Sequence, residues 1–262
     1  MIDRVLLLAG PPFGLALFRG VEARLRALAP GLAVECDAVP CAEHPPFAPE
    51  AAGALVFAHG LAIPAALRSG AAALILSNGP ISRLDPVTRS LAALGPALSA
   101  CLFPAIALRW LRSSAGLRRA VANPYAMDHD TVAALCGPPI ASAEGRRHVA
   151  AYLRWLPSAV PGPVAECPTW ALWGDEDGLY PTSEADVFDA QGEGGRVAWL
   201  PGGRFVHPEE LPWAVADAIL ARARALGVRG AGGAPATGVS RSGWGSPSSS
   251  ELARGKSVDK DV

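Results

Sequence analysis

"ALVFAHGLAIPAAL", residues 54–67, decides the fold. Residues 54–59 are a continuous apolar run closed by a histidine, which suits a strand covered on both faces. Gly60 then permits a sharp turn, because glycine alone enters left-handed backbone without a steric cost. "LAIPAALRSG" (61–70) reads as a short helix, with Pro64 tolerable in its first turn, where an N–H has no partner anyway. The stretch is therefore a buried strand, a tight bend and a helix.

The same grammar extends in both directions. "RVLLLAG" (4–10) is a first strand, "LALFRGVEARLRAL" (15–28) a helix with apolar residues three and four apart, and "GLAVECDAV" (31–39) a second strand. "PCAEHPPFAPEAAG" (40–53) is proline-rich and reads as a loop, and "AAALILSNGP" (71–80) is the strand after the turn. Alternating strands and helices with apolar strands predict an α/β fold: a mostly parallel sheet with helices on both faces. Right-handed crossovers then bring the C-terminal ends of the strands to one edge, where ligands bind.

Residues 82–162 break the alternation. "RSLAALGPALSACL", "IALRWLRSSAGLRRAV" and "EGRRHVAAYLRWL" predict three helical segments of an inserted helical unit, set into a core formed by residues 1–81 and 163–227. "ALSACLFPAIALRWL" (97–111) is apolar but short for a membrane span and contains Pro104, so a buried or pocket-lining helix is expected. Alternation resumes with "TWALWGDEDGLYP" (169–181), a strand entering an acidic turn, then "RVAWLPGGRF" (196–205). "PEELPWAVADAILARARAL" (208–226) is a closing helix, with acids at its start and arginines near its end, as the helix dipole prefers. From residue 228 to 262 the chain is rich in Gly, Ser and Pro and predicts a disordered tail, with Trp244 as its one large apolar residue.

Composition bounds the partners. Of 262 residues 50% are hydrophobic and 18% charged, enough for a sizeable core, and the net charge of −1 favours neither nucleic acid nor a membrane as partner. The five cysteines (Cys36, Cys41, Cys101, Cys136, Cys167) are odd in number and contain no C-x-x-C pair, so reduced thiols and a cytoplasmic setting are expected. The apolar run at the N-terminus is too short for a signal peptide. His44, His129 and His148 are isolated, and "GPPFG" (10–14) lacks the G-x-G-x-x-G spacing while its prolines remove N–H donors; no metal and no cofactor are expected.

Three pieces in order, "LVFAHGLA" with the following strand "ALILSNGP", "CPTWALWGDEDGLYP" and "VAWLPGGRFVHPEELPWAVADAIL", resemble the α/β-hydrolase family across roughly residues 4–226. The resemblance implies a helical cap where 82–162 is inserted, and a nucleophile, acid and base on loops at the C-terminal strand ends in that chain order. Carried over position by position, the nucleophile falls on Gly60, the acid on Asp177 and the base on Arg204. The oxyanion loop, usually opening His-Gly, is Ala9-Gly10 followed by Pro11 and Pro12.

Glycine supplies no nucleophile, and arginine, with a pKa above about 12, accepts no proton at neutral pH. The expected function is that of a hydrolase-like protein lacking an intact Ser-His-Asp triad, a pseudoenzyme binding a small apolar molecule or a protein partner. The candidate pocket is Gly10, Pro11, His59, Leu61, Ser77 and His207. The alternative is an active hydrolase or related enzyme with a rearranged site drawn from Ser77, His59, His207 and Asp177, Ser77 being the hydroxyl placed to replace the lost nucleophile. A simpler role for Ser77-Asn78-Gly79 is turn chemistry. Asp177 can still bind something, for instance by pairing with Arg204 as an ion pair in place of the acid–base pair, or "GDEDG" persists only as a turn.

Overall fold

In a computed structural model, residues 2–39, 47–125, 127–161, 166–186 and 197–231 are described. Cys41, His44, the first half of the proline-rich stretch and the tail from residue 232, with Trp244, lie outside the described residues.

The apolar runs form the sheet. β1 (Arg4–Ala9), β2 (Ala33–Ala38), β3 (Ala54–His59), β4 (Ala73–Ser77), β5 (Thr169–Gly174) and β6 (Val197–Leu200) lie in the order β2-β1-β3-β4-β5-β6, and every pair is parallel. All six residues of β3 and all five of β4 are buried, as expected of central strands covered on both faces. Fully burying a side chain such as Leu55 or Phe57 stabilises the fold by about 1.5–3 kcal/mol relative to exposure.

A 3₁₀ turn (Leu15–Phe18) leads into α1 (Arg19–Leu28), which packs against the closing helix. After β3 the chain makes a 3₁₀ turn at Gly60–Ala62 and enters α2 (Ile63–Ala66), with Pro64 in its first turn. The closing segment is split into α8 (His207–Glu210) and α9 (Pro212–Ala225). Pro212 has no N–H and disfavours helical backbone at Leu211, which sits at φ −126° and ψ 47°.

Between β4 and β5 the described residues form five helices rather than the three expected: α3 (Pro86–Ala92), α4 (Pro96–Arg112), α5 (Ser114–Ala120), α6 (His129–Ala141) and α7 (Ala143–Ala159). Gly95 and Pro96 divide α3 from α4, and the Ser113 hydroxyl caps α5 by accepting from Gly116 N at 3.0 Å. α6 begins with Asp128 accepting from Thr131 N at 2.7 Å; its Gly137-Pro138-Pro139 run masks it from pattern reading.

α4 departs from the buried or pocket-lining helix expected for 97–111. Phe103, Pro104 and Leu111 face inward, but Leu98 is 54% exposed, Leu102 38% and Ile106 39%. The composition-based start of the tail also shifts. Val228 and Ala231 are buried, and Arg224 Nε donates to the Ala231 carbonyl at 2.9 Å. Among the described residues no helix is long and apolar enough to cross a membrane.

Two buried side chains help tie the helical segment to the loops at the sheet edge. The buried Glu184 carboxylate accepts from Ile81 N (2.9 Å), Ser82 N and Ser82 Oγ (both 2.7 Å) just before α3 begins. From α7, the buried Tyr152 hydroxyl donates to the Leu61 carbonyl in the turn after β3.

Candidate active site

The bend after His59 is a tight left-handed turn between β3 and α2. Gly60 stands at φ +63°, where any residue with a Cβ is strained. The neighbouring loops press on it main chain to main chain. A Cβ at Gly79 would lie 2.2 Å from the Gly60 oxygen, and one at Gly10 would lie 2.3 Å from Ala62 N. These glycines let three strand ends converge. Pro11, buried beside Gly10, has no N–H to offer.

The space above Gly60 is filled. A Cβ built there would meet the Phe205 ring at 3.3 and 3.4 Å. Phe205 follows the base position and belongs to an aromatic cluster. Its ring centroid lies 5.4 Å from Phe13, 5.2 Å from His59 and 5.5 Å from Tyr180. Phe13, Phe205 and Tyr180 are buried aromatic rings at the sheet edge, on three different loops. Neither Phe205 nor Phe13 was singled out from the sequence; no spacing rule joins residues so far apart.

Below this cluster His59, Ser77 and His207 meet. His59 and Ser77 are register partners at the ends of β3 and β4. All three residues have no exposed surface. The Ser77 hydroxyl lies 2.9 Å from His207 Nε2 and 3.5 Å from His59 Nδ1. His207 Nδ1 is 2.8 Å from the Arg204 carbonyl, which only accepts, so Nδ1 carries the proton and Nε2 receives the Ser77 O–H. The Ser77 oxygen is then left to accept from His59. Burial drives the His207 pKa down to about 4, partly offset by the Arg204 carbonyl. His59 is pushed well below its ordinary value by burial and by the charge His207 would carry, against a smaller opposing effect of the Phe205 main chain. Both rings are neutral at pH 7.

The acid position takes a different course. Asp177 is half-buried, and burial raises its pKa to about 6, against the hydrogen bonds that favour the carboxylate. Its Oδ1 accepts from Leu179 N (2.7 Å) and Tyr180 N (3.3 Å), and its Oδ2 accepts from Asn78 Nδ2. Asn78, buried at φ +37°, also accepts from Gly174 N at 2.9 Å, so its side chain ties β4 to β5 and to the acid turn. In sequence it reads only as turn chemistry.

The Asp177–Arg204 ion pair does not form. Arg204 Nη2 pairs instead with Glu176 at 3.0 Å, while its Nη1 donates to the Arg118 carbonyl and, at 3.3 Å, to the Val121 carbonyl. The last carbonyls of a helix have no partner within it, and those after α5 draw the guanidinium outward. Gly60 and the Arg204 main chain thus share one edge, while the Arg204 side chain points away. Of the pocket candidates, Gly10, Pro11, His59, Leu61, Ser77 and His207 are all buried.

No protein-family model matches the chain, and no curated protein matches it in sequence. Solved structures do. A thermophilic esterase from Thermogutta terrifontis superposes with a TM-score of 0.61 at 17% identity, over 86% of this chain and 90% of that one. The epoxide hydrolase CorEH gives 0.59 at 16%, over 86% and 92%. An alpha/beta hydrolase fold protein from Burkholderia ambifaria gives 0.58 at 19%, over 85% and 91%. With the strand order, the turn at Gly60 and the acid turn at Asp177, this likeness assigns the chain to the α/β-hydrolase fold.

Proposed function

We propose that this chain is a non-catalytic member of the α/β-hydrolase fold, a pseudoenzyme that uses the scaffold to bind a small apolar molecule or a protein partner. Phe205 carries this reading: its ring stands where a nucleophile on residue 60 would emerge. The rest agrees. Arg204 accepts no proton and is anchored on α5, and Asp177 spends its lone pairs on main-chain N–H groups and Asn78. Residues 82–162 act as a cap on the 1–81 and 163–227 core, and the free thiols suit a reducing cytoplasm.

A second reading has one observation in its favour. The 2.9 Å contact from Ser77 Oγ to His207 Nε2 has the polarity of a nucleophile and its base. Against it, neither residue has exposed surface for a substrate carbonyl to reach, and His207, at about 4, is a weak base. Among the described residues no carboxylate is hydrogen-bonded to the ring.

Short p-nitrophenyl esters and a fluorophosphonate probe decide between the two. The expected result is turnover no faster than buffer and no labelling. Turnover or labelling abolished by Ser77→Ala would establish the rearranged enzyme. The binding half is tested by thermal shift against fatty acids and alcohols of graded chain length. At about 100 times its Kd a ligand stabilises the fold by about 2.7 kcal/mol, a readable rise in Tm.

A further inference from the structure

The outer face of α4 is apolar and exposed, and the stretch 86–127 that contains it carries only basic charges. Leu98, Leu102 and Ile106 follow at four-residue spacing, so they stack along one face, and Arg109 and Arg112 continue that face at three-residue steps. The opposite face of α4 packs on α3, α5, α6 and α7. From Pro86 to Met127 the chain has no aspartate or glutamate, yet it carries Arg89, Arg109, Arg112, Arg118 and Arg119, all exposed. Among the described residues none of these five arginines takes part in an ion pair. A net charge of −1 for the whole chain conceals this local excess.

We infer that α4 is the element by which the protein lies on an anionic lipid surface, as a peripheral contact rather than a span. A helix with leucine and isoleucine outward and arginines on the same face rests its apolar side chains among the acyl chains. The guanidinium groups then reach the phosphates on flexible stems. Charge selects this occupant over a second copy of the chain. A copy would bring the same unpaired arginines together with no acid from 86 to 127 to meet them. Three exposed side chains also fall well short of the roughly 800 Å² per partner that a stable interface covers. The inference departs from the expectation of no membrane partner, which rested on bulk charge, and it is independent of whether the site at Ser77 reacts.

Vesicle flotation of the full chain tests it. Vesicles of phosphatidylglycerol and phosphatidylcholine in about equal parts are compared with phosphatidylcholine alone, at about 0.1 M and about 0.5 M salt. The protein should float with the anionic vesicles and lose most of that binding in high salt or on neutral lipid. The variants Leu98→Ser/Leu102→Ser/Ile106→Ser and Arg109→Glu/Arg112→Glu should each reduce binding about fivefold or more, with unchanged far-UV circular dichroism. The charge variant leaves the apolar side chains in place, so it stands as a test even where the triple variant fails to fold. Absence of flotation by the wild type overturns the inference. So does flotation unaffected by either variant, which would locate the contact elsewhere in the chain. A wild-type dimer in sedimentation velocity that the triple variant converts to monomer would overturn it too, by giving the face to a second copy.

Discussion

The bend at Gly60 and the turn at Asp177 are neighbours on one sheet edge, and they have met the same problem in opposite ways. Around Gly60 the space is filled with aromatic rings: Phe205, Phe13 and Tyr180 close over a chain of neutral polar groups formed by His59, Ser77 and His207. Around Asp177 the polar residue is kept, and its lone pairs are given to Leu179, Tyr180 and Asn78. One half is packed with rings; the other holds a carboxylate as a brace. A hydrolase needs both halves to serve a common proton path, and among the described residues no carboxylate is hydrogen-bonded to His207.

Four measurements break or sharpen the comparison. The largest effect belongs to the packed half. Phe205→Ala removes a buried ring shared by three loops and should cost about 3–5 kcal/mol in urea denaturation. A loss under about 1 kcal/mol would mean the edge is loosely filled and open to a ligand. Next comes the braced half. Asn78→Ala strands the Gly174 N–H and puts a residue ill-suited to φ +37° in a buried turn, for about 2–3 kcal/mol. Gly60→Ser should cost about 1–3 kcal/mol, through the left-handed backbone and the 3.3 Å approach to Phe205, and should yield no esterase activity by itself. Measurable turnover from that single change would show that Phe205 yields readily.

The smallest and most discriminating effect is on pH dependence, because the two halves carry opposite signs. His207 takes up its proton near 6.5 when unfolded but near 4 when folded, so its neutral burial costs stability as pH falls from about 6.5 to 4. His59, shifted in the same direction, adds to that loss. Asp177, raised to about 6, is protonated in the folded state first, so it returns stability as pH falls from about 6 towards 4. The wild type should therefore weaken on acidification less than its histidines alone imply. His207→Gln should flatten the profile between pH 7 and 5, and Asp177→Asn should steepen it. Urea midpoints across that range read both, and a steeper profile in His207→Gln would reverse the assignment.

Much of the fold was legible because parallel strands buried on both faces leave continuous apolar runs, as at 4–9, 54–59 and 73–77. The bend at Gly60 could be read because glycine marks left-handed backbone at the end of an apolar run. The number of helices between β4 and β5 was not legible. Gly95-Pro96 and Ser113 punctuate local geometry that periodicity averages over, and breaker residues obscure α6. Which way a helix turns its apolar side is likewise set by its neighbours, so α4 gave no sign that Leu98, Leu102 and Ile106 face out. At the site, Ser77, His59 and His207 were named as candidates, but their meeting depends on register and on α8. The destination of Arg204 depends on the carbonyls that end α5, and the role of Phe205 on four segments converging.

The ring over Gly60 also fixes an order of operations for anyone redesigning this protein. A hydroxyl added at 60 collides before it can react, and an imidazole added at 204 finds Asp177 already occupied. The ring has to shrink before the turn can carry a side chain, and the brace has to let go before an imidazole can borrow its carboxylate. Each single change along that route costs stability without completing a triad at 60, 177 and 204, so that arrangement is reached only through several concerted changes.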